Sequence, residues 1–482
     1  MAAVCVGSHT LVTLQAIFIA PAVRYHWRSL LFLSLQGMIS FSEALDFALS
    51  FPDMERCPDG PGGRVMSLEC MRSLLARMGN PQHGRTTLHV TGSKGKGSTA
   101  HFIASILSAA GLKTALYTSP HLHSYAERIA IDSAALSPEA FMRGMAAIRG
   151  FVEAEHRSDA GPVSTFGVMT SLFFHVARSE NADCQVVEVG LGGTHDGTNV
   201  FLEKDVAVFT PISLEHTKIL GATPREIAVS KSGIITRGCV AVLAPQKDSG
   251  VKDVIADRCK AVGAELVDVA TRYKIAEVDG DDQGQNFVLN SRSASMPLAI
   301  SMLGYHQVEN AATAVAAIDA LGSRGVRICE SAVQAGLAAV KVPGRFEVLR
   351  RAPLVVADGA HNQESMQALT KAIKDSLSFR RCIFVVGVHQ DKDLTGILET
   401  LRPLMDRLVC TRSRSLRAMP PDSVLSSAGA LGCNGYSTNS VSEAMEFALA
   451  IARPDDLVCV TGSLAVVAEV RELLTLSAAA RA

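Results

Sequence analysis

From Ser40 onward, short apolar runs rich in valine, isoleucine and threonine alternate with longer segments whose apolar residues recur at helical spacing. The runs 87–91, 114–118, 184–189, 206–212 and 239–243 read as strands, because each is short and closed by glycine or charged turns. Helical patterns such as 139–153 and 164–178 lie between most of them. The alternation predicts an α/β fold with a mostly parallel sheet covered by helices, and in such a sheet functional residues gather at the carboxyl ends of the strands. A polar stretch at 279–285 predicts a hairpin. A second block of strands, 354–357, 382–388, 407–411 and 457–461, follows Pro343-Gly344-Arg345 and has the size of a separate nucleotide-fold domain. The hinge is expected at 342–346, dividing the chain into a first domain, 38–343, and a second, 344–482.

The first 37 residues do not share this pattern. No acidic residue precedes Glu43, and Arg24, His26 and Arg28 interrupt two apolar runs, neither of which reaches the ~20 residues of a spanning helix. This leader reads as an over-extended start or a targeting segment and is set outside the fold. At 482 residues the chain suits a soluble enzyme of more than one domain. A formal net charge of -1 gives no electrostatic reason to expect nucleic acid or an acidic membrane as partner. The 11 cysteines are scattered without a CxxC pair, which points to reduced thiols and a cytoplasmic protein rather than disulfides or zinc.

One turn carries the chemistry. The segment Val90-Thr91-Gly92-Ser93-Lys94-Gly95-Lys96-Gly97-Ser98-Thr99 joins a strand to a helical stretch through a glycine-rich loop. Backbone N–H groups and a helix N-terminus around one concavity suit a polyphosphate, Lys96 offsets its charge, and Ser98 or Thr99 can ligate Mg²⁺. Gly97 separates the lysine from Ser98, so the spacing departs from the general nucleotide loop. Further motifs follow in order: Ser119-Pro120-His121-Leu122, Glu127-Arg128-Ile129, Glu188-Val189-Gly190-Leu191-Gly192-Gly193, Ser213-Leu214-Glu215-His216-Thr217 and Lys231-Ser232-Gly233-Ile234. Tyr305-His306-Gln307-Val308-Glu309-Asn310-Ala311 opens a helix, and Pro343-Gly344-Arg345-Phe346-Glu347 and Asp358-Gly359-Ala360-His361-Asn362 straddle the hinge.

This ordered set, spanning about 41–470, resembles the folylpolyglutamate synthase/dihydrofolate synthase family, a branch of the Mur-type ATP-dependent amide ligases. The resemblance implies a P-loop-type ATPase domain and a smaller Rossmann-like C-terminal domain. It also implies an ATP-dependent acid–amino-acid ligase that phosphorylates a pterin-bearing carboxylate and displaces the phosphate with L-glutamate. Gly95, Lys96, Gly97 and Ser98 would then cradle the β- and γ-phosphates, and Asn310, Arg345 and Asp358 would hold the nucleotide. Ser119, Glu188 and His216 match the family's Mg²⁺ ligands, and Lys231 matches its carbamylated lysine. Phe166 and Asp196 fall on the pterin side, and His361 and Ser463 on the part of the cleft that receives glutamate. The resemblance makes Lys96, His216, Lys231 and Arg345 the catalytic set of a monomer whose partners are ATP, folate or dihydropteroate, and glutamate.

Departures cluster on the pterin side. Gly167 stands where the family commonly has a glutamate, Thr194-His195 where it has arginine and leucine, and 56–64 lacks the dihydropteroate pattern. Ser230 and Ser232 flank Lys231 where an acidic residue and alanine are usual. A Mur-type ligase for a different carboxylate therefore stands as the alternative, and a silent nucleotide-binding protein as a third reading, which the retained lysine, ligands and Arg345 disfavour.

Overall fold

The computed structural model describes residues 40–53, 67–292 and 294–479, so the leader at 1–37 and the stretch 56–64 lie outside the described residues. The first domain is built on eight strands: β1 (Thr86–Thr91), β2 (Thr114–Tyr117), β3 (Ile129–Ile131), β4 (Ala134–Ala135), β5 (Cys184–Glu188), β6 (Val206–Phe209), β7 (Val240–Leu243) and β8 (Glu265–Asp268). Their order is β4-β3-β2-β5-β1-β6-β7-β8. Neighbours from β2 to β8 run parallel, and β3 and β4 turn back antiparallel at one edge. β2, β5, β6 and β7 are buried at every position, as strands covered on both faces must be.

Helices supply both covers. Lys96–Ala109 and Tyr305–Gly322 pack Phe102, Ile103, Val308 and Val315 against one face. Pro138–His156 and Thr165–Ser179 pack Phe141, Met145, Phe173 and Phe174 against the other. Each such fully buried side chain contributes about 1.5–3 kcal/mol of hydrophobic stabilisation. The expected hairpin is present as β9 (Lys274–Asp281) and β10 (Gly284–Asn290), and β11 (Ser295–Ile300) completes a small antiparallel sheet whose Phe287, Leu289, Leu298 and Ile300 join the first core.

The second sheet comprises β12 (Glu347–Arg351), β13 (Leu354–Ala357), β14 (Cys382–Val386), β15 (Arg407–Cys410), β16 (Gly435–Ser437) and β17 (Leu457–Thr461), in the order β12-β13-β17-β14-β15-β16. All are parallel neighbours except β12, which pairs antiparallel with β13. Two predicted strands end two or three residues early for visible reasons. The run 206–212 leaves the sheet after Phe209, because Pro211 turns its carbonyl to the amides of Ser93 and Lys94 at 2.9 and 3.2 Å. The run 382–388 stops at Val386, where Gly387 begins the turn out of the sheet. The edge strands β4, β8 and β16, and β3 beside β4, have only two to four residues, too few to show a period.

Candidate active site

The loop after β1 is tied down from outside. Besides the two amide bonds to Pro211, Ser93 Oγ donates to the Ser213 carbonyl at 2.9 Å and accepts from its amide at 3.1 Å. Gly95 closes the loop at φ +82°, and no side chain caps the helix Lys96–Ala109 that follows. Its first-turn N–H groups therefore lack intrahelical partners and are free to face an anion. Lys96 folds back so that Nζ donates to the Gly92 carbonyl at 3.0 Å. Ser98 and Thr99 are buried beneath, and the Thr99 hydroxyl has no partner among the described residues.

Two acidic groups flank this loop. Glu188, at the end of β5, is buried, and its Oε2 accepts the Ser119 amide at 3.0 Å and lies 3.5 Å from where a Cβ of Gly97 would stand. Burial pushes the Glu188 carboxyl up to about 7, against the pull of Lys96, the Ser119 amide, Arg345 and Arg128. Glu215 lies beyond β6. Burial raises its carboxyl, but Lys96, Lys231 and Lys94 together outweigh that and hold it at about 2. Lys231 on the helix Pro224–Ser232 is only 1 % exposed and donates to Glu215 Oε1 at 2.7 Å and to the Gly92 carbonyl at 2.9 Å. Burial and Lys96 bring its amine down to about 8. His216 has φ +44° and an exposed ring next to this pair; burial of part of the ring lowers its pKa, with Glu215 opposing.

On the other side of Glu188, Phe166 begins the helix Thr165–Ser179 and Asp196 lies in the loop after β5. They meet at Gly190, where a Cβ would stand 2.7 Å from Phe166 Cζ and 3.3 Å from Asp196 Oδ2. The ring and the carboxylate thus share one wall. Asp196 is buried, which raises its pKa, and it accepts the amides of Leu191 at 2.8 Å and Thr198 at 2.9 Å.

The second domain closes over the loop. Ser213 Oγ donates to Glu364 Oε2 at 2.5 Å, and Lys247 Nζ pairs with Glu364 Oε1 at 3.2 Å. Arg345 lies at the hinge, 3.6 Å from the Cβ position of Gly359, and its charge is felt by Glu188, Lys94 and His361. Asp358 accepts the amides of Phe346 and Ala360, each at 2.8 Å, and so fixes the hinge turn in which Phe346 has φ +48°. His361 Nδ1 lies 2.9 Å from the Gly359 carbonyl, and burial holds the ring down at about 4, leaving it neutral with Nε2 as acceptor.

Two family models match the chain. The Mur ligase middle domain model covers residues 152–318, and the model described as Mur ligase, glutamate ligase domain covers 344–464. The chain is 34 % identical over 384 residues to the dihydrofolate synthase/folylpolyglutamate synthase of Mycobacterium tuberculosis, covering 75 % of this chain and 77 % of that protein. The chain belongs to the folylpolyglutamate/dihydrofolate synthase family of Mur ligases. The Escherichia coli dihydrofolate synthase/folylpolyglutamate synthase is 32 % identical over 414 residues, covering 85 % of this chain and 91 % of its own. The structure of M. tuberculosis folylpolyglutamate synthase complexed with ADP superposes with a TM-score of 0.81 at 31 % identity, covering 89 % of this chain and 99 % of that one. E. coli FolC in complex with DHPP and ADP gives 0.80 at 29 % identity, covering 92 % and 99 %. The fold shared with this family is an ATPase domain followed by a C-terminal α/β domain. Among the described residues no helix is long and apolar enough to cross a membrane.

Within this family fold, Gly95, Lys96, Gly97, Ser98, Ser119, Glu188 and Asn310 converge on the loop, and Asn310 sits directly behind Gly95. His216 instead joins the Lys96–Glu215–Lys231 group. Ser463 is buried and accepts the Val466 amide at 3.3 Å, the contact of a helix cap. Lys94, Glu215 and Glu364 stand at the site with no role that their motifs predict. Glu215 stands beside His216 in its motif, but nothing local marks it as the partner of a lysine sixteen residues on. Thr194 holds its helix: its amide and hydroxyl donate to the Ser230 carbonyl at 2.9 and 2.8 Å, next to Lys231.

Proposed function

We propose that this protein joins L-glutamate to the carboxylate of a folate-type substrate, making folylpolyglutamates, dihydrofolate or both, with release of ADP and phosphate. The observation that carries the reading is the convergence of the uncapped loop helix and Lys96 with Glu188, Lys231 and Arg345 across the domain cleft. ATP would lie with its β- and γ-phosphates on Gly95–Ser98 and its nucleoside against Asn310 and Asp358. The substrate carboxylate attacks the γ-phosphorus, ADP leaves, and the acyl phosphate so formed is attacked by the glutamate amine, which expels phosphate. Lys96 and Arg345 offset charge on the transferring group. Neutral His361 accepts the proton that the amine loses, and Ser463 lines the same side of the cleft. Phe166 stacks on the flat ring of the substrate and Asp196 accepts from its N–H edge.

Mg²⁺ suits the donor set, since burial raises the Glu188 carboxyl to about 7 despite the cations near it, and Ser119 and His216 offer a hydroxyl and an imidazole around the loop. When bound, the ion neutralises phosphate charge. Lys231 is the carbamylation site in this reading: an amine lowered to about 8 is partly neutral near pH 7.5, and the carbamate would add a carboxylate to the metal side of the cleft. A monomer in the cytoplasm completes the reading, the cysteines among the described residues being free thiols. A different carboxylate substrate is favoured by the altered segment 194–197, where Thr194 holds a helix in place of the family's arginine.

The test is ADP release by the purified protein with ATP, Mg²⁺ and L-glutamate, offering dihydropteroate, tetrahydrofolate or a non-pterin carboxylate. Release that requires glutamate and a pterin substrate supports the reading. Release with the non-pterin acid alone would overturn the acceptor, and no glutamate-dependent release would overturn the reaction.

A further inference from the structure

Three buried polar residues have no part in the chemistry above. His89 on β1 is 0 % exposed, Thr198 0 % and Lys204 4 %. Lys204 Nζ lies 2.8 Å from His89 Nδ1 and 3.2 Å from Asn199 Oδ1, with the Phe201 ring centroid at 5.3 Å. His89 Nε2 lies 2.8 Å from Thr198 Oγ1, and the Thr198 hydroxyl makes a short bond to Asp196 Oδ1.

With Lys204 as its ammonium and Asp196 as its carboxylate, the direction of every proton in this chain is set. Asn199 Nδ2 faces the carbonyls of Thr194 at 3.3 Å and Gly233 at 3.1 Å, so Nδ2 is the donor and Oδ1 must accept from Lys204. An ammonium only donates, so His89 Nδ1 accepts as well and the ring proton sits on Nε2. Nε2–H then donates to Thr198 Oγ1, which leaves the hydroxyl proton for Asp196. Asp196 consequently receives donors only: the Thr198 hydroxyl and amide on Oδ1 and the Leu191 amide on Oδ2. Its Oδ2 is the oxygen that meets the Phe166 ring at Gly190.

We infer that Lys204, acting through His89 and Thr198, is the positioning residue that aims Asp196 at the N–H edge of a flat heterocycle stacked on Phe166. The inference rests on the pterin-side reading above and extends it to a residue on the far side of β1. A side-chain network whose members are all satisfied rigidifies its last member, and a ligand acceptor held this way loses little freedom on binding.

The test uses Lys204→Met, Thr198→Val and the double variant in the full chain, with dihydropteroate as the varied substrate. Each single variant should raise the KM for dihydropteroate about tenfold, and the double variant no further, because both cut the same chain. kcat and the KM for ATP should stay within about twofold. In ¹⁵N-histidine spectra the His89 Nδ1 should resonate as an unprotonated acceptor in the wild type and lose that signature in Lys204→Met. Lower Tm with unchanged KM, multiplicative KM effects, or a protonated Nδ1 in the wild type would overturn the inference. If Lys204→Met does not fold, Thr198→Val decides by the same KM criterion. Asp196→Asn separates the two levels: an unchanged dihydropteroate KM there removes the pterin-side reading, whereas a raised one with silent Lys204 and Thr198 variants removes only the relay.

Discussion

Asn310 fills the space that any side chain at Gly95 would need, with its Oδ1 2.2 Å from the Cβ position. Gly95 also has φ +82°, so the loop requires glycine twice over, for conformation and for space. Gly95→Ala should cost roughly 1–3 kcal/mol from backbone strain alone and push Asn310 out of place, weakening nucleotide binding. Adding Asn310→Ala should recover part of the stability without recovering ATP affinity. Thermal melts with and without ADP check both statements.

Lys96 folds onto the Gly92 carbonyl and faces both flanking carboxylates by charge alone. Lys96→Ala should leave the fold intact and cut kcat by ~10²-fold or more, the usual loss for one charge contact to a developing transition state. It should also raise the Glu188 and Glu215 carboxyls, since both lose a neighbouring cation. Steady-state kinetics beside a melting curve distinguish this from unfolding, and near-normal turnover would contradict the role.

Burial brings Lys204 down to about 7, while an unfolded lysine stays near ~10.4. Between those values the unfolded chain holds a proton that the folded chain lacks, so stability rises with pH across the window. The contribution is fully present above the unfolded value and is lost as pH falls through 7. The urea midpoint of the wild type should therefore gain on that of Lys204→Met from pH 7 to pH 9. Parallel curves would show that the amine is not the titrating group.

Lys231 is paired with Glu215, yet its amine is lowered to about 8. As a carbamate it would carry negative charge to the metal side, so Lys231→Arg should be as damaging as Lys231→Ala, because arginine is never carbamylated. Formate should restore part of the activity of the alanine variant only. A ¹³C carbamate resonance in protein equilibrated with labelled bicarbonate is the direct readout. An active arginine variant would leave the ion pair with Glu215 as the whole function of this lysine.

The interior strands and the phosphate loop were legible because burial on both faces leaves continuous apolar runs, and because a lysine between two glycines has little structural use. Pro211 shows where that reading fails: its carbonyl holds Ser93 and Lys94, a tertiary demand that ends β6 early and leaves no periodic trace. The contact between Ser119 and Glu188 joins two residues already marked by the family motifs, whereas the Lys231–Glu215 pair depends on how a helix packs against a loop. Lys204 and His89 gave no signal at all, since an isolated lysine and a strand histidine acquire their link only when β1 and the loop before β6 come together.

The oxygen of the substrate carboxylate traces the reaction most directly. With ¹⁸O in that carboxylate, ligation through an acyl phosphate must transfer one labelled atom to inorganic phosphate for each ADP formed. One ¹⁸O-phosphate per amide, with ADP as the nucleotide product, is the expected result. AMP and pyrophosphate as products, or phosphate carrying no label, would contradict it.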